Sequence, residues 1–181
     1  MLLGKDAQYL WRSIRMENEY SLLWLLVINS VAWFFIHMGI ALLMVRIPDD
    51  WLVKKEEVFR PRNWEKNGGF WQKYFRIRSW KKFLPDGSLF IPASYDQTNL
   101  HGTKEENLEM FILETIRAEL THWLMIPPAF LFFLWNPPWA AYIMILYALL
   151  LNLPLIMTQR YNRPRLQRLL EIKTRRKTKN E

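Results

Sequence analysis

The sequence has no cysteine, and it has only six glycines and three histidines among its 181 residues. The lack of cysteine excludes disulfides, thiolate nucleophiles and thiolate metal sites. The glycines form neither a Walker loop nor a dinucleotide fingerprint, and the G-x-S-x-G elbow of serine hydrolases is missing. The His-x-x-x-x-Asp box of many glycerolipid acyltransferases is absent as well. We therefore expect no cofactor, and any chemistry must come from carboxylates, histidines and cations.

Apolar and aromatic residues are plentiful by contrast. Hydrophobic residues make up 51% and aromatic residues 15% of the chain, with ten tryptophans. The mean hydropathy is only -0.12, because charges and apolar residues occupy separate blocks. Tryptophan and tyrosine favour the interface between a bilayer and water. The net charge of +8 suits an anionic partner, either a nucleic acid or an anionic membrane surface.

The first apolar block, 21–45, contains no Lys, Arg, Asp or Glu. Its length exceeds the roughly 20 residues that a helix needs to cross a bilayer. A cleaved signal peptide is the alternative, but its apolar region is normally shorter, about 7–15 residues. We therefore predict a retained membrane-spanning helix, preceded by a helical segment at 1–20.

The second apolar block, 120–158, also lacks these charged residues and is too long for one crossing. The sequence 136–139, Asn-Pro-Pro-Trp, predicts a turn in its middle. We expect a helical hairpin with arms at 119–135 and 139–158. Pro127 and Pro128 should kink the first arm, and two re-entrant half-helices are the alternative.

The distribution of basic residues predicts the orientation. Three lie in 1–20, thirteen in 46–118 and nine in 159–181, whereas the turn near 136 has none. Loops rich in Lys and Arg stay in the cytoplasm. The chain is thus predicted to be an all-α, multi-pass membrane protein in a single unit, 1–181, with about three crossings. Segment 46–118 and the tail 159–181 would be cytoplasmic.

The middle segment alternates aromatic and basic residues over 48–82, including Trp71 and Trp80. Such a segment can stack on nucleic-acid bases, but directly after a membrane span it is typical of an interfacial layer. We favour the membrane surface and expect no nucleic acid. A turn at 85–88 and a helix at 104–119 capped by Thr103 should follow. Residues 173–181 are expected to be disordered.

Glu119 and His122 stand three residues apart, where charge gives way to the apolar block. Both should project from one face of a helix. An ionisable pair at membrane depth points to function, and a carboxylate beside a histidine can form a general base. The alternatives are an interfacial histidine capped by Glu119, and half of a metal site. We expect no metal, because no second Glu-x-x-His occurs.

Other polar residues offer further candidates. Asp96 and His101 could act as acid or base, although a loop Asp more often forms an Asx turn. His37 lies inside the first span, where a hydrogen bond within its helix is the simpler account. Arg160, Arg163 and Arg165 follow the last span and could hold a phosphate or carboxylate. They could equally serve as ordinary positive-inside anchors.

The sequence also resembles a known family, the glycosyl-4,4'-diaponeurosporenoate acyltransferases of carotenoid pigment synthesis. The resemblance covers about residues 30–170. Its most specific strings are Arg-Ala-Glu-Leu-x-His-Trp at 117–123 and Gln-Arg-Tyr-Asn-Arg-Pro-Arg-Leu at 159–166. Further matching positions are Arg46, Ile47, Pro48, Asp49, Glu65, Lys66, Gly68, Phe70, Trp71, Lys73, Phe75, Arg78, Trp80, Lys81, Asp86, Gly87, Tyr95, Asp96, Gln97, Glu114, Thr115, Asn152 and Pro154.

The resemblance implies that a fatty acyl chain is esterified to the glucose 6-hydroxyl of a glycosylated C30 carotenoid acid, giving a staphyloxanthin-type pigment. It assigns no catalytic residues. From side-chain chemistry we predict His122 as general base oriented by Glu119, with Asp96 as a reserve acid or base. Arg160 and Arg163 would hold the donor phosphate or the oxyanion. The remaining substrate-binding candidates are Arg117, Trp123, Asn162, Trp71 and Trp80.

The expected partners are a lipid-linked sugar acceptor and a fatty acyl donor linked to coenzyme A or a carrier protein. Other enzymes of the pigment pathway are further candidates, and the bacterial cell membrane is the expected location. Two other functions fit the same residues. The chain could be a non-catalytic scaffold or lipid-binding protein, or it could acylate a different lipid-linked sugar.

Overall fold

The computed structural model describes residues 3–84 and 105–180, with side chains for 21–84 and 105–179. All regular structure in these ranges is helical. Helices α1 to α6 span Leu3–Val45, Asp49–Phe59, Gly69–Phe75, Ile77–Trp80, Glu105–Met125 and Pro138–Asn180. Short 3₁₀ helices occupy Asn63–Glu65, Lys81–Phe83 and Pro127–Leu134. The turn expected at 85–88, Thr103, Asp96 and His101 lie outside the described residues.

Helix α1 contains the first apolar block. Its part Ser21–Val45 is long and apolar enough to cross a membrane. The helix ends at Val45 because Pro48 follows closely and cannot continue the hydrogen-bond ladder. The guanidinium of Arg117 donates to the carbonyls of Met44, in the last turn of α1, and of Ile47, two residues beyond its end. A side chain of α5 therefore fixes the end of α1.

The first arm of the predicted hairpin differs from the expectation. The described part of the helix predicted at 104–119 begins at Glu105 and forms one helix, α5, with the start of the arm, and this helix ends at Met125. The chain then continues as a 3₁₀ helix from Pro127 to Leu134. Pro127 and Pro128 cause this change, because neither has an N–H to extend the α-helical ladder.

Helix α6 starts at Pro138, one residue before the predicted start, and continues for 43 residues. It is the second helix apolar enough to cross a membrane, so the described residues contain two such helices rather than three. The prediction of disorder from 173 onward was wrong for the described residues, because the helix extends to Asn180. Lys and Arg are good helix formers, and a helix that already exists needs no new nucleus to extend.

The apolar surfaces of these helices face outward. Trp24 on α1, Leu134 in the 3₁₀ helix and Leu150 on α6 are 64%, 79% and 66% exposed. Soluble monomers rarely expose apolar patches of this extent. The surfaces are therefore suited to lipid, and the protein is a membrane-associated helical protein.

A small set of contacts joins α1 to the hairpin. Asn29 and Asn136 exchange hydrogen bonds of 2.8 and 2.9 Å, and the indole N–H of Trp135 donates to Asn29 at 2.9 Å. Trp33 stacks on Phe132 below them. The paired amides satisfy each other in an apolar setting, so they fix the register of α1 against the turn.

The middle segment packs against the charged half of α6. Gly68 has a φ of 81°, and a Cβ at this position would lie 2.5 Å from Nη1 of Arg165 and 3.0 Å from the Tyr161 carbonyl. Only glycine permits both this conformation and this approach. The loop before α3 can therefore lie directly on α6.

Candidate active site

A buried cluster of four charges lies where α5, α6 and the middle segment meet. Glu119 pairs with Arg160 at 2.7 Å and with Arg163 at 2.7 Å. Arg160 also pairs with Glu65 at 2.9 Å. Glu65, Glu119 and Arg163 are almost completely buried, at 0%, 0% and 1% exposed. Two carboxylates and two guanidinium groups neutralise each other, as burial of charge requires.

Arg163 also makes three hydrogen bonds besides its ion pair with Glu119. Nε donates to the Thr115 hydroxyl at 2.9 Å, Nη1 to the Phe59 carbonyl at 2.7 Å and Nη2 to the Thr115 carbonyl at 2.8 Å. All three guanidinium nitrogens of Arg163 thus contact other residues of the described chain. The geometry thus gives Arg163 a structural position, and Arg160 is likewise committed to two carboxylates.

Arg117, another predicted substrate-binding residue, is similarly engaged. Besides its bonds to the end of α1, it pairs with Asp49 at 2.5 Å and with Glu114 at 3.0 Å. Burial raises the pKa of Glu114, and Arg117 opposes that shift. Arg117 therefore joins α1, α2 and α5 beside the cavity described next.

A cavity of about 1040 Å³ lies between α1, α5 and α6. This volume is at the upper end of the range of small-molecule pockets, which is about 300–1,000 Å³. One end is mainly apolar and includes Leu26, Trp33 and Met144, and the other end is polar. The polar end is formed by Lys81, Lys82, Glu114, Arg117, Gln159 and Asn162.

The cavity is long as well as large. Its wall on α1 extends from Leu26 to Val45, 19 residues apart. At 1.5 Å per residue this is about 28 Å, close to the thickness of a bilayer's hydrocarbon core, which is about 30 Å. An apolar chain can therefore lie along the cavity with a polar group at the charged end.

His122 lies on the cavity wall between these two ends. Nδ1 of His122 is 2.9 Å from Oδ1 of Asn152, and the Asn152 amide N–H₂ donates to the Ala148 carbonyl at 2.8 Å. The second bond fixes the direction of the amide, so its oxygen faces the imidazole. An oxygen can only accept, so Nδ1 carries the proton and Nε2 has the free lone pair. This tautomer is the one that a general base needs.

The predicted pairing of His122 with Glu119 was wrong. Glu119 contacts Arg160, Arg163 and Trp123, and the hydrogen bond of His122 within the described residues is to Asn152. Residues three apart on a helix differ in direction by about 60°. This angle is enough to aim Glu119 at the arginines of α6 and His122 at the cavity.

The aromatic candidates lie away from the cavity. Trp123 is 45% exposed and donates to Glu119 at 3.3 Å. Trp71 packs against Trp64, Phe70 and Phe75, and the Trp80 indole donates to the Phe75 carbonyl. None of the three is among the cavity-lining residues. Asn162 does line it, and accepts a hydrogen bond from Lys81 at 2.9 Å.

Sequence reasoning missed two site features. Asn152 interrupts an apolar run, and a buried amide at membrane depth was a usable signal. Lys81 and Lys82 could not be singled out among the many Lys and Arg residues of 48–82, because the sequence does not show which of them face a cavity. His37 also lines the cavity, and its Nδ1 lies 2.8 Å from the Trp33 carbonyl, as the simpler account expected.

The fold and the site together define a helical membrane-associated protein with an elongated amphipathic cavity and a histidine on its wall. A family model described as glycosyl-4,4'-diaponeurosporenoate acyltransferase matches residues 55–172. The chain is 43% identical over 147 residues to proteins of that name from Staphylococcus aureus strains RF122 and USA300, covering 81% of this chain and 88% of theirs. The chain belongs to this family. No solved structure matches it.

Proposed function

We propose that the protein transfers a fatty acyl group to the glucose 6-hydroxyl of a glycosylated C30 carotenoid acid. The relatives are named as acyltransferases of glycosyl-4,4'-diaponeurosporenoate. The observation that carries the proposal is the place of His122, between the apolar and the charged end of the cavity. A lipid-linked sugar and an acyl donor each have a polar end and an apolar end, as the cavity does.

In the proposed step, Nε2 of His122 accepts the proton of the sugar hydroxyl. The hydroxyl oxygen then attacks the acyl carbonyl, and a new C–O bond forms while the bond to the donor's leaving group breaks. The imidazolium returns the proton to the leaving group. A base placed in this way contributes about 10²–10⁴-fold to the rate. Asn152 takes the orienting role that Glu119 was expected to have.

The proposal includes a membrane setting. The protein would be a multi-pass protein of the bacterial cell membrane, with 46–118 and the tail in the cytoplasm. Exposed rings such as Trp64, Tyr74 and Phe83 alternate with exposed cations in the middle segment. This composition suits the headgroup layer, where the sugar of the acceptor would also lie.

Replacement of His122 by Ala tests the function. The variant would be expressed in pigment-producing cells that make the glycosylated carotenoid but lack this activity. Wild-type protein should give the acyl ester, seen by mass spectrometry of extracted pigment. The variant should give at least about a hundredfold less. Cells supply the donor, so the test does not depend on its identity.

Thr121→Val is the matched control. Thr121 lines the same cavity, and its hydroxyl is already bonded to the Arg117 carbonyl at 2.7 Å. This variant should retain activity within a few-fold. If cells that express the wild-type protein made no ester, this result would contradict the function and favour a non-catalytic scaffold. Normal ester with His122→Ala would contradict the role of the histidine.

A further inference from the structure

Two adjacent lysines form the cationic part of the cavity's polar end. Lys81 and Lys82 lie in the 3₁₀ helix Lys81–Phe83, and both line the cavity. Nζ of Lys81 donates to Oδ1 of Asn162 at 2.9 Å and lies 5.2 Å from the centre of the Tyr161 ring. These contacts hold Lys81 against α6, while Lys82 is exposed.

These lysines differ from the buried arginines in the charges that surround them. Within 21–84 and 105–179, no acidic side chain lies within ion-pair distance of Lys81 or Lys82. Glu114, the acid on the same wall, pairs with Arg117. Burial, together with the nearby Arg165 and Arg78, lowers the pKa of Lys81. The polar end of the cavity therefore carries positive charge that an anion would stabilise.

The acceptor cannot be that anion. In a sugar ester of a carotenoid acid the carboxylate is already esterified, so the molecule has no ionised group. If the proposed function holds, the positive charge must serve the other substrate, the acyl donor. An acyl donor with an anion remote from its reacting carbonyl carries a phosphate in its most common forms.

The distance along α6 distinguishes two kinds of phosphate-bearing donor. Lys81 contacts Asn162 and His122 contacts Asn152, so ten residues separate the two positions. At 1.5 Å per residue this is about 15 Å. A phosphopantetheine arm has about thirteen bonds between phosphorus and sulfur, which extend to about 15 Å at the spacing of an extended chain. In a phospholipid about five bonds, or about 6 Å, separate phosphorus from the ester carbonyl.

We propose that Lys81 and Lys82 bind the phosphate of a phosphopantetheine thioester, which extends along the cavity wall and places its acyl carbon at His122. This inference rests on the proposed function and names its donor class. The sugar oxygen forms a bond to the acyl carbon, the C–S bond breaks, and the proton taken by His122 passes to the departing thiolate. Coenzyme A and an acyl carrier protein share this arm, so the proposal covers both.

The test compares two donors with the same acyl chain: acyl-coenzyme A, and the N-acetylcysteamine thioester, which has no phosphate. The variant Lys81→Gln/Lys82→Gln should raise KM for acyl-coenzyme A about ten- to hundredfold, because charge-assisted hydrogen bonds are lost. Its kinetics with the N-acetylcysteamine thioester should not change. The acyl carrier protein thioester and phosphatidylglycerol, assayed in parallel, distinguish the sources of the phosphate.

Lys54→Gln/Lys55→Gln is the matched control, because this adjacent pair is exposed on α2 and lies outside the cavity. It should leave both KM values unchanged. An equal loss with both donors, an equal loss in the control, or use of phosphatidylglycerol in preference to the thioesters would overturn the proposal. If the double variant does not fold, Lys82→Gln alone should still raise KM for acyl-coenzyme A several-fold.

A binding measurement separates this proposal from the proposed function. Coenzyme A itself should bind to the purified wild-type protein in calorimetry and bind at least about tenfold more weakly to the double variant. This result would support the anion site even if no acyl transfer occurred. Equal binding to both proteins would overturn the site even if transfer were normal.

Discussion

The amide of Asn152 determines which ring nitrogen of His122 has a free lone pair. Its N–H₂ donates to the Ala148 carbonyl, and its oxygen faces Nδ1. We predict that Asn152→Leu lowers kcat about ten- to hundredfold and leaves KM within about twofold, because the imidazole loses its orientation but the substrates keep their contacts. Initial rates of ester formation at varied acceptor concentration would measure both constants.

Thr158→Val is the control for this prediction. Thr158 lines the same cavity on the same helix, and its hydroxyl bonds to the Pro154 carbonyl at 2.9 Å. A similar fall in kcat for both variants would mean that any polar loss on this wall disturbs the site. An unchanged kcat in Asn152→Leu would show that Asn152 does not orient His122 for catalysis.

At this scale the sequence singled out His122, which lines the cavity, but not its hydrogen-bond partner Asn152. His122 could be selected because it is an ionisable residue at the edge of an apolar block. Glu119 was assigned to it by spacing along one helix, but the ion-pair partners of Glu119 in this region and the hydrogen-bond partner of His122 lie on α6. Such long-range pairings depend on how helices pack, which spacing within one helix does not contain.

At the scale of elements, the four-charge cluster holds α5, α6 and the middle segment together. We predict that Arg163→Met destabilises the protein by about 3–5 kcal/mol, because it leaves Glu119 buried with one partner fewer. Thermal unfolding in detergent would show the fall in Tm. Arg175→Met removes the same charge from an exposed position of the same helix and should leave Tm unchanged.

The activity of folded protein distinguishes this role from the one expected from the sequence. If Arg163→Met kept its Tm but lost activity, Arg163 would be a substrate-binding residue as first predicted. With the cluster as described, the loss of activity should follow the loss of folded protein. Restoring the fold at lower temperature should therefore restore most of the activity.

Element boundaries were predictable where a local rule decides them. The span 21–45 and the start of the last helix near 138 follow from charge-free runs and from Pro137 and Pro138. The merging of 104–119 with the next arm did not follow, because both parts have helical patterns and no breaker separates them. The extent of α6 was missed since composition alone does not show that a basic tail continues an existing helix.

At the scale of the whole molecule, the two ends of the cavity differ in charge. The charged cluster and the two lysines lie at one end, and the paired amides Asn29 and Asn136 lie at the other. Basic residues are concentrated at the first end. From the positive-inside rule we predict that this end faces the cytoplasm.

The absence of native cysteine allows this orientation to be tested with single-cysteine variants. Pro138→Cys is exposed at the hairpin turn, and Lys54→Cys and Arg175→Cys are exposed in the middle segment and the tail. In intact cells an impermeant maleimide should label only Pro138→Cys, and permeabilised cells should show labelling of all three. Labelling of Lys54→Cys in intact cells would show that the orientation is the opposite of the predicted one.

If Pro138→Cys is labelled only after permeabilisation, the hairpin does not reach the outer surface, and the arm with Pro127 and Pro128 is re-entrant. The cavity would then open to lipid from one leaflet, and both substrates would have to enter from the cytoplasmic side.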